Sequence, residues 1–111
     1  MFNRDSSGPV EILRYKGSLD AAAAGPLRKQ VKDIVAAGRV RLLFDLSEVP
    51  FSDSSGLSVL VTALNAARAA GGDVALLGLT PPVRSIVELT RLHRVFTIHE
   101  DEAAAVEQLS R

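Results

Sequence analysis

The amino-acid sequence predicts an α/β fold in which helices cover a largely parallel sheet, and three observations support this prediction. The apolar run from Val40 to Leu46 is typical of a strand that is buried on both faces. From Leu57 to Leu64, apolar residues recur at i, i+3, i+4 and i+7, which indicates one face of a helix. A second strand-like run, Asp73 to Leu79, follows that helix. Strand, helix and strand at this spacing form a βαβ unit with parallel strands and a right-handed crossover.

The N-terminal third of the chain predicts one clear strand and one helix. Met1 to Pro9 is polar and rich in turn-forming residues, so we expect at most a short edge strand at Phe2 to Arg4. Val10 to Lys16 has the alternating side-chain pattern of a strand, with one face more exposed to solvent than the other. Asp20 is placed to cap a helix that ends near Gly38, since glycine commonly follows the last helical residue.

The C-terminal third predicts two more helices and a last strand. Thr80 is expected to cap a helix that begins at Pro81, because proline is tolerated in the first turn. Val95 to His99 is typical of a short strand, and the acidic run Glu100 to Glu102 suits the positive end of a C-terminal helix. The whole pattern predicts four to five strands and about four α-helices in a single domain that spans residues 1–111.

Composition excludes several classes of function. The formal net charge of the 111 residues is zero, so the charge balance calls for neither nucleic acid nor an anionic membrane surface. The chain has no cysteine, which excludes disulfides, thiol catalysis and cysteine metal sites. No apolar stretch is long enough to span a bilayer, and the N-terminus lacks the apolar core of a signal peptide. We therefore expect a cytoplasmic protein.

The residue patterns of common enzymes are also missing. The sequence contains no G-x-S-x-G nucleophile elbow, no P-loop and no G-x-G-x-x-G motif. The two histidines, His93 and His99, come late in the chain, and nothing in the sequence brings either of them to a serine nucleophile. No group of residues has metal-ligand spacing. We expect no enzymatic activity, no cofactor and no metal.

The polar turn Asp53-Ser54-Ser55-Gly56 joins the buried strand to the helix, at the edge of the sheet where α/β proteins usually carry their function. Its simplest interpretation is a helix cap, because Asp and Ser are preferred capping residues. One cap needs only one such residue, and Gly56 falls in the first helical turn, where glycine costs up to about 1 kcal/mol relative to alanine. Glycine is useful there if another backbone approaches closely. A hydroxyl at a helix N-terminus also suits a phosphate group. The residues alone leave a simple cap and a phosphorylation or ligand site equally open.

Four segments make the chain resemble the STAS domains and, within them, the bacterial anti-sigma factor antagonists. They are the G-x-L-D turn at Gly17 to Asp20, the stretch from Val40 to Leu60 with its D-S-S-G-L core, Gly71-Gly72, and the pattern from Pro82 to Leu92. The resemblance implies the STAS fold, with a central mixed β-sheet, from about Val10 to the C-terminus.

The chain departs from this family at its N-terminus. The family usually has an additional strand before the one that ends in G-x-L-D. Met1 to Pro9 is short and polar, so the sequence leaves open whether this strand is present. Without it, one edge of the sheet would be exposed and able to pair with another chain.

The resemblance also implies a phosphorylation-controlled switch. In this family the first serine of the D-S-[ST]-G motif, which corresponds to Ser54, is phosphorylated by an anti-sigma factor that is itself a serine kinase. The unphosphorylated antagonist binds that kinase and frees a sigma factor for transcription. Phosphorylation ends the binding, and a separate phosphatase acting on the phosphorylated form restores it.

The other residues of the motif are expected to belong to the same partner-binding surface. Asp53 is expected to position the hydroxyl or cap the helix, next to Ser55 and Gly56. Asp20 and Asp45 are expected to frame this surface, although simple caps or turn residues are equally good interpretations of both.

Two other interpretations stay open. A STAS subunit of a stressosome or of a membrane lipid-transport complex would share the fold and act as a structural or regulatory module. Weak nucleotide binding at the same helix N-terminus is a further alternative, although no glycine loop is present to hold phosphates. The complete D-S-S-G-L motif favours the sigma-factor switch. We expect a monomer or weak dimer, without a nucleic-acid partner and without direct membrane insertion.

Overall fold

Five strands form one mixed sheet in the order β1-β2-β3-β4-β5 in the computed structural model, which describes all residues from 1 to 111. The strands are β1 (Asn3–Ser7), β2 (Val10–Lys16), β3 (Arg41–Glu48), β4 (Asp73–Leu77) and β5 (Thr97–His99). β1 runs antiparallel to β2, and all other neighbouring strands are parallel. The four parallel strands therefore end at the same edge of the sheet, which we call the carboxyl end.

Four α-helices and one 3₁₀ turn connect the strands. The helices are α1 (Ala21–Ala36), α2 (Ser54–Ala69), α3 (Pro81–Leu89) and α4 (Glu102–Leu109), and the 3₁₀ turn is Leu92–Arg94. The predicted α/β fold, with four to five strands and about four helices, is confirmed. None of the helices combines the length and the apolar character needed to cross a membrane.

The helices divide unequally between the two faces of the sheet. α1, α2 and α3 bury residues such as Leu27, Leu60 and Val83 against one face, where Phe44 and Leu76 are also fully buried. α4 alone packs on the other face, where a smaller apolar cluster forms. Each buried Leu, Val or Phe stabilises the fold by about 1.5–3 kcal/mol. The larger core therefore fixes the positions of α1 and α2, which carry the candidate site.

The N-terminal strand, whose presence the sequence leaves open, is present, and at five residues it is longer than the short strand considered at Phe2 to Arg4. Asn3–Ser7 pairs with β2 over five residue pairs, although all five residues of β1 are exposed. A two-residue turn closes this hairpin. Gly8 has a φ of +56° and Pro9 follows it, as in the type II′ turns that suit paired strands.

An aromatic contact and a pair of salt bridges hold this hairpin in place. The buried Phe2 side chain packs edge-on against Phe44, with ring centroids 5.1 Å apart. The buried carboxylate of Glu11 forms ion pairs with Arg4 of β1 and with Arg39. β1 is therefore held in place by the apolar side chain of Phe2 and by the ion pair between Arg4 and the buried Glu11. Neither contact produces the alternating sequence pattern from which strands are predicted.

The C-terminal third differs from the prediction at two points, the cap of α3 and the start of β5. Thr80 precedes α3 but does not cap it, because its hydroxyl donates to the carbonyl oxygen of Val49 at 2.7 Å instead. β5 begins at Thr97, since the N–H groups of Val95 and Phe96 both donate to Leu92 and belong to the 3₁₀ turn.

Candidate functional site

The turn between β3 and α2 lies at the carboxyl end of the sheet, and its first polar residue is a helix cap. Asp53 has an extended backbone, with φ −104° and ψ −173°, and immediately precedes Ser54, the first residue of α2. Its Oδ1 accepts a hydrogen bond from the N–H of Gly56 at 2.9 Å. A cap of this kind contributes about 1 kcal/mol. The predicted capping role of Asp53 is confirmed.

Gly56 lies where a second backbone segment crosses the helix N-terminus. The N–H of Leu19 donates to Phe51 at 2.9 Å, and the carbonyl of Leu19 accepts from Asp53 at 3.2 Å. A β-carbon at position 56 would lie 2.0 Å from that carbonyl oxygen. The expectation that glycine is present because another backbone approaches closely is confirmed, and the crossing chain is the G-x-L-D turn.

Ser54 is the most accessible hydroxyl of the turn. Of the serines between residues 52 and 58, only Ser54 is exposed. Ser52 is buried, and its Oγ donates to the carbonyl of Asp53 at 3.1 Å. Ser55 is half-buried, and its carbonyl accepts from the hydroxyl of Ser58 at 2.6 Å. Ser54 is therefore the one exposed serine of this turn.

The helix N-terminus beside Ser54 is electrostatically suited to a phosphate. The capping bond of Asp53 uses the N–H of Gly56, and the next N–H, that of Leu57, donates to the carbonyl of Asp53. The N–H groups of Ser54 and Ser55 have no partner in the chain. These groups and the helix dipole place partial positive charge next to the Ser54 hydroxyl. A dianion attached there would be stabilised locally.

Asp20 lies at the same end of the molecule and caps the neighbouring helix. Its Oδ1 accepts from the N–H of Ala23 at 3.2 Å, at the start of α1. Because it follows Leu19 directly, Asp20 lies beside the point where Leu19 crosses Gly56. The structure thus brings Asp20, Asp53, Ser54, Ser55 and Gly56 together, as the sequence predicts.

The expectation that Asp45 frames this surface is wrong, because its side chain lies on the opposite face of the sheet. Side chains alternate along a strand, so Phe44 faces α1 and α2 whereas Asp45 faces α4. Asp45 accepts from Arg14 at 2.8 Å, and Arg14 also donates to Glu102 of α4 at 2.7 Å. Asp45 further accepts from the hydroxyl of Ser47 at 2.7 Å. Asp45 belongs to a network that holds α4 to the sheet.

This network shifts the pKa values of its two central groups. Partial burial raises the pKa of Asp45, but the hydrogen bonds from Ser47 and Arg14 outweigh it and leave the pKa below its ordinary value. Hydrogen bonds to Glu102 and Asp45 raise the pKa of the Arg14 guanidinium further above its already high ordinary value. The pair is a structural element that depends on the ionised carboxylate.

Phe51, which lies three residues before Ser54, is not among the predicted site residues. Its side chain is 51% exposed, next to the exposed Pro50. An aromatic residue inside the polar segment from Pro50 to Gly56 is the signal that could have revealed it. Exposed aromatic side chains are enriched at protein-binding surfaces. Neither Ser54 nor Phe51 lines any of the three surface pockets.

Neither histidine joins this turn. His93 is exposed in the 3₁₀ turn, and the Nε2 of His99 lies 2.9 Å from the side-chain oxygen of Gln108. No three His, Asp or Glu side chains are grouped as metal ligands. The turn presents one exposed serine, Ser54, at the positive N-terminal end of α2.

Comparisons with known proteins identify the family of the chain. The model of the STAS domain family matches residues 2–105. The chain is 27% identical over 101 residues to the anti-sigma F factor antagonist of Paenibacillus polymyxa, covering 90% of this chain and 86% of that protein. The crystal structure of a candidate anti-sigma factor antagonist of Thermotoga maritima superposes with a TM-score of 0.94 at 29% identity, covering 99% of this chain and 95% of that chain.

A third likeness concerns the fold alone. The structure of the Bacillus protein SpoIIAA in its phosphorylated form superposes with a TM-score of 0.77 at 20% identity, covering 97% of this chain and 98% of that chain. The resemblance based on the D-S-S-G-L motif is thereby confirmed over nearly the whole chain. The protein belongs to the STAS domain family, among the anti-sigma factor antagonists.

Proposed function

We propose that this antagonist is a partner switch controlled by phosphorylation of Ser54. Without phosphate, it binds an anti-sigma factor that is also a serine kinase, and it thereby frees a sigma factor for transcription. The observation that supports this most strongly is the position of Ser54, an exposed hydroxyl on the first residue of α2 beside unpartnered N–H groups. The kinase would reach this hydroxyl without any unfolding of the chain.

The binding surface comprises the residues around the crossing of Leu19 over Gly56. Asp20, Asp53 and Ser55 border Ser54, and Phe51 provides the apolar contact. The partner would bury the Phe51 ring, since fully desolvated aromatic side chains contribute most to interface affinity. Asp45 lies on the other face of the sheet and contributes to stability instead.

Phosphorylation would end binding through local charge and would leave the fold intact. A phosphate adds up to two negative charges to a surface that already carries the carboxylates of Asp20 and Asp53. In the free protein, water and the N-terminus of α2 stabilise this charge. In the complex it would be desolvated and placed near other negative charges, which costs several kcal/mol. Since 1.4 kcal/mol corresponds to a factor of about ten, affinity would fall at least 100-fold.

The cellular setting follows from this role. We place the protein in the cytoplasm, as one STAS domain over residues 1–111, with a phosphatase that restores the unphosphorylated form. It acts as a binding partner and carries no catalytic residue of its own.

The test is a binding measurement with two variants of the same residue. The anti-sigma factor kinase from the same genome is titrated with wild type, Ser54→Asp and Ser54→Ala. We expect Ser54→Asp to bind at least 100-fold more weakly, whereas Ser54→Ala binds as wild type does and stays active after incubation with kinase and ATP.

A control places the same charge elsewhere. Ser110 is exposed just after the end of α4, at the opposite end of the molecule from Ser54, so Ser110→Asp should bind normally. Full binding by Ser54→Asp would contradict the proposal and favour a structural STAS subunit of a larger assembly.

A further inference from the structure

Arg28 of α1 is a partly buried arginine without a carboxylate partner. Its Nη2 donates to the hydroxyl of Ser58 on α2 at 2.8 Å, and it takes part in no ion pair. Of the four other partly buried arginines, three pair with carboxylate side chains, namely Arg14, Arg39 and Arg84. The fourth, Arg41, donates to main-chain oxygens at the C-terminus. A guanidinium carries five N–H donors, so Arg28 keeps most of its hydrogen-bonding capacity unused.

The hydroxyl that Arg28 contacts lies one helical turn from Ser54. Ser54 and Ser58 are at positions i and i+4 of α2, so they share one face, with β-carbons roughly 5–6 Å apart. Helical side chains lean toward the N-terminus of their own helix. α1 and α2 both begin at the carboxyl end of the sheet, so the Arg28 side chain leans toward the end at which Ser54 lies.

We propose that Arg28 is the internal receptor for the phosphate of Ser54, and that phosphorylation moves its guanidinium from the Ser58 hydroxyl to the phosphate. The inference rests on the proposed function only in that Ser54 carries the phosphate. Arginine binds phosphate through paired N–H donors, and such charge-assisted bonds are stronger than the neutral contact to a serine. Arg28 is a positioning residue here: it would draw the phosphate toward the groove between α1 and α2.

The test needs no kinase, because phosphoserine is incorporated genetically at position 54. The second pKa of the phosphate is then followed by ³¹P NMR titration in otherwise wild-type protein and in Arg28→Ala. A nearby cation favours the dianion, so removing Arg28 should raise this pKa by about 0.5 unit, less than the 1–3 units seen for a carboxyl beside arginine, because the site is exposed. Asp20 and Asp53, the carboxylates that border the site, are unchanged in both proteins.

Three controls separate phosphate binding from other effects. Arg94→Ala removes an exposed arginine without an ion pair and should leave the phosphate pKa unchanged. Ser58→Ala removes only the hydroxyl that Arg28 contacts in the unphosphorylated protein. The pKa of the phosphate should then be as low as in the protein that keeps Ser58, or lower. Arg28→Lys keeps the charge and should restore most of the shift. Thermal unfolding of unphosphorylated Arg28→Ala checks that the variant folds.

Equal phosphate pKa values in wild type and folded Arg28→Ala would overturn the inference. Arg28 would then only link α1 to α2 through its hydrogen bond to Ser58. That result would leave the switch itself untouched, since binding of the kinase is measured separately. Conversely, the phosphate pKa is measured without any partner protein. A difference between wild type and Arg28→Ala would therefore support the inference even if this chain bound no anti-sigma factor.

Discussion

The carbonyl oxygen of Leu19 occupies the space in which a β-carbon of residue 56 would stand. The crossing chain is backbone held by hydrogen bonds to Phe51 and Asp53, so it cannot yield as a flexible side chain would. This contact fixes the distance between the start of α1 and the start of α2. It therefore sets the positions of Asp20 and Ser54 relative to each other.

Replacing Gly56 by alanine should destabilise the protein strongly. We expect the free energy of unfolding to fall by about 3 kcal/mol, because an added methyl group has to displace backbone. Urea unfolding followed by circular dichroism measures this. Gly25→Ala is the matched control: Gly25 lies in α1 with no atom near its missing β-carbon, and alanine there should stabilise the helix by up to about 1 kcal/mol. A Gly56→Ala protein as stable as wild type would contradict the account of the crossing.

Truncation of Phe51 should weaken partner binding more than it weakens the fold. The ring is half-exposed in the free protein, so Phe51→Ala removes little core packing. If the partner buries the ring, affinity should fall by at least about tenfold, as for other aromatic anchors. Leu89→Ala is the control, since Leu89 is 83% exposed at the far end of α3. Calorimetric titration that gives the same affinity for both variants would place the interface elsewhere.

The contribution of Asp45 to stability should depend on pH. Asp45→Asn removes the charge, and we expect it to lower the free energy of unfolding at pH 7 by about 1–2 kcal/mol through weaker bonds to Arg14. The folded protein holds the pKa of Asp45 below its ordinary value of 3.8. The carboxylate therefore stabilises fully above that value and loses its effect as the pH falls through the lower folded pKa.

Urea unfolding of wild type and Asp45→Asn from pH 7 to pH 2.5 tests this dependence. The difference between the two proteins should be constant above pH 5 and shrink below pH 3.8. Asp33→Asn is a control, because Asp33 forms an exposed pair with Lys29 and its loss should cost less than about 0.5 kcal/mol. A difference that stays constant down to pH 2.5 would show that Asp45 acts through packing alone.

Much of this fold could be predicted because local patterns and tertiary structure agree. The change of period after Gly56 marks the start of α2, and Asp20 and Asp53 cap helices as their residue types suggest. β1 was only weakly indicated and its length was underestimated, since it is held by the Gly8-Pro9 turn and the buried Phe2, which no alternating pattern reveals.

The site was predicted less completely than the fold, for reasons of side-chain direction and packing. β3 is apolar on both faces, so its sequence conceals the alternation that places Asp45 on the side of α4. The contact of Arg28 with Ser58 joins two helices that are distant in sequence. Only the packing of α1 on α2 brings those side chains together.

The most direct test of the switch is phosphopeptide mass spectrometry on the protein purified from its own host. Trypsin should release residues 42–68 as one peptide. It carries six candidate acceptors: Ser47, Ser52, Ser54, Ser55, Ser58 and Thr62. We predict phosphate on Ser54 under some growth or stress condition, because Ser54 alone combines exposure with the first position of α2. Phosphate on another residue of this peptide, or none under any condition, would contradict the central claim.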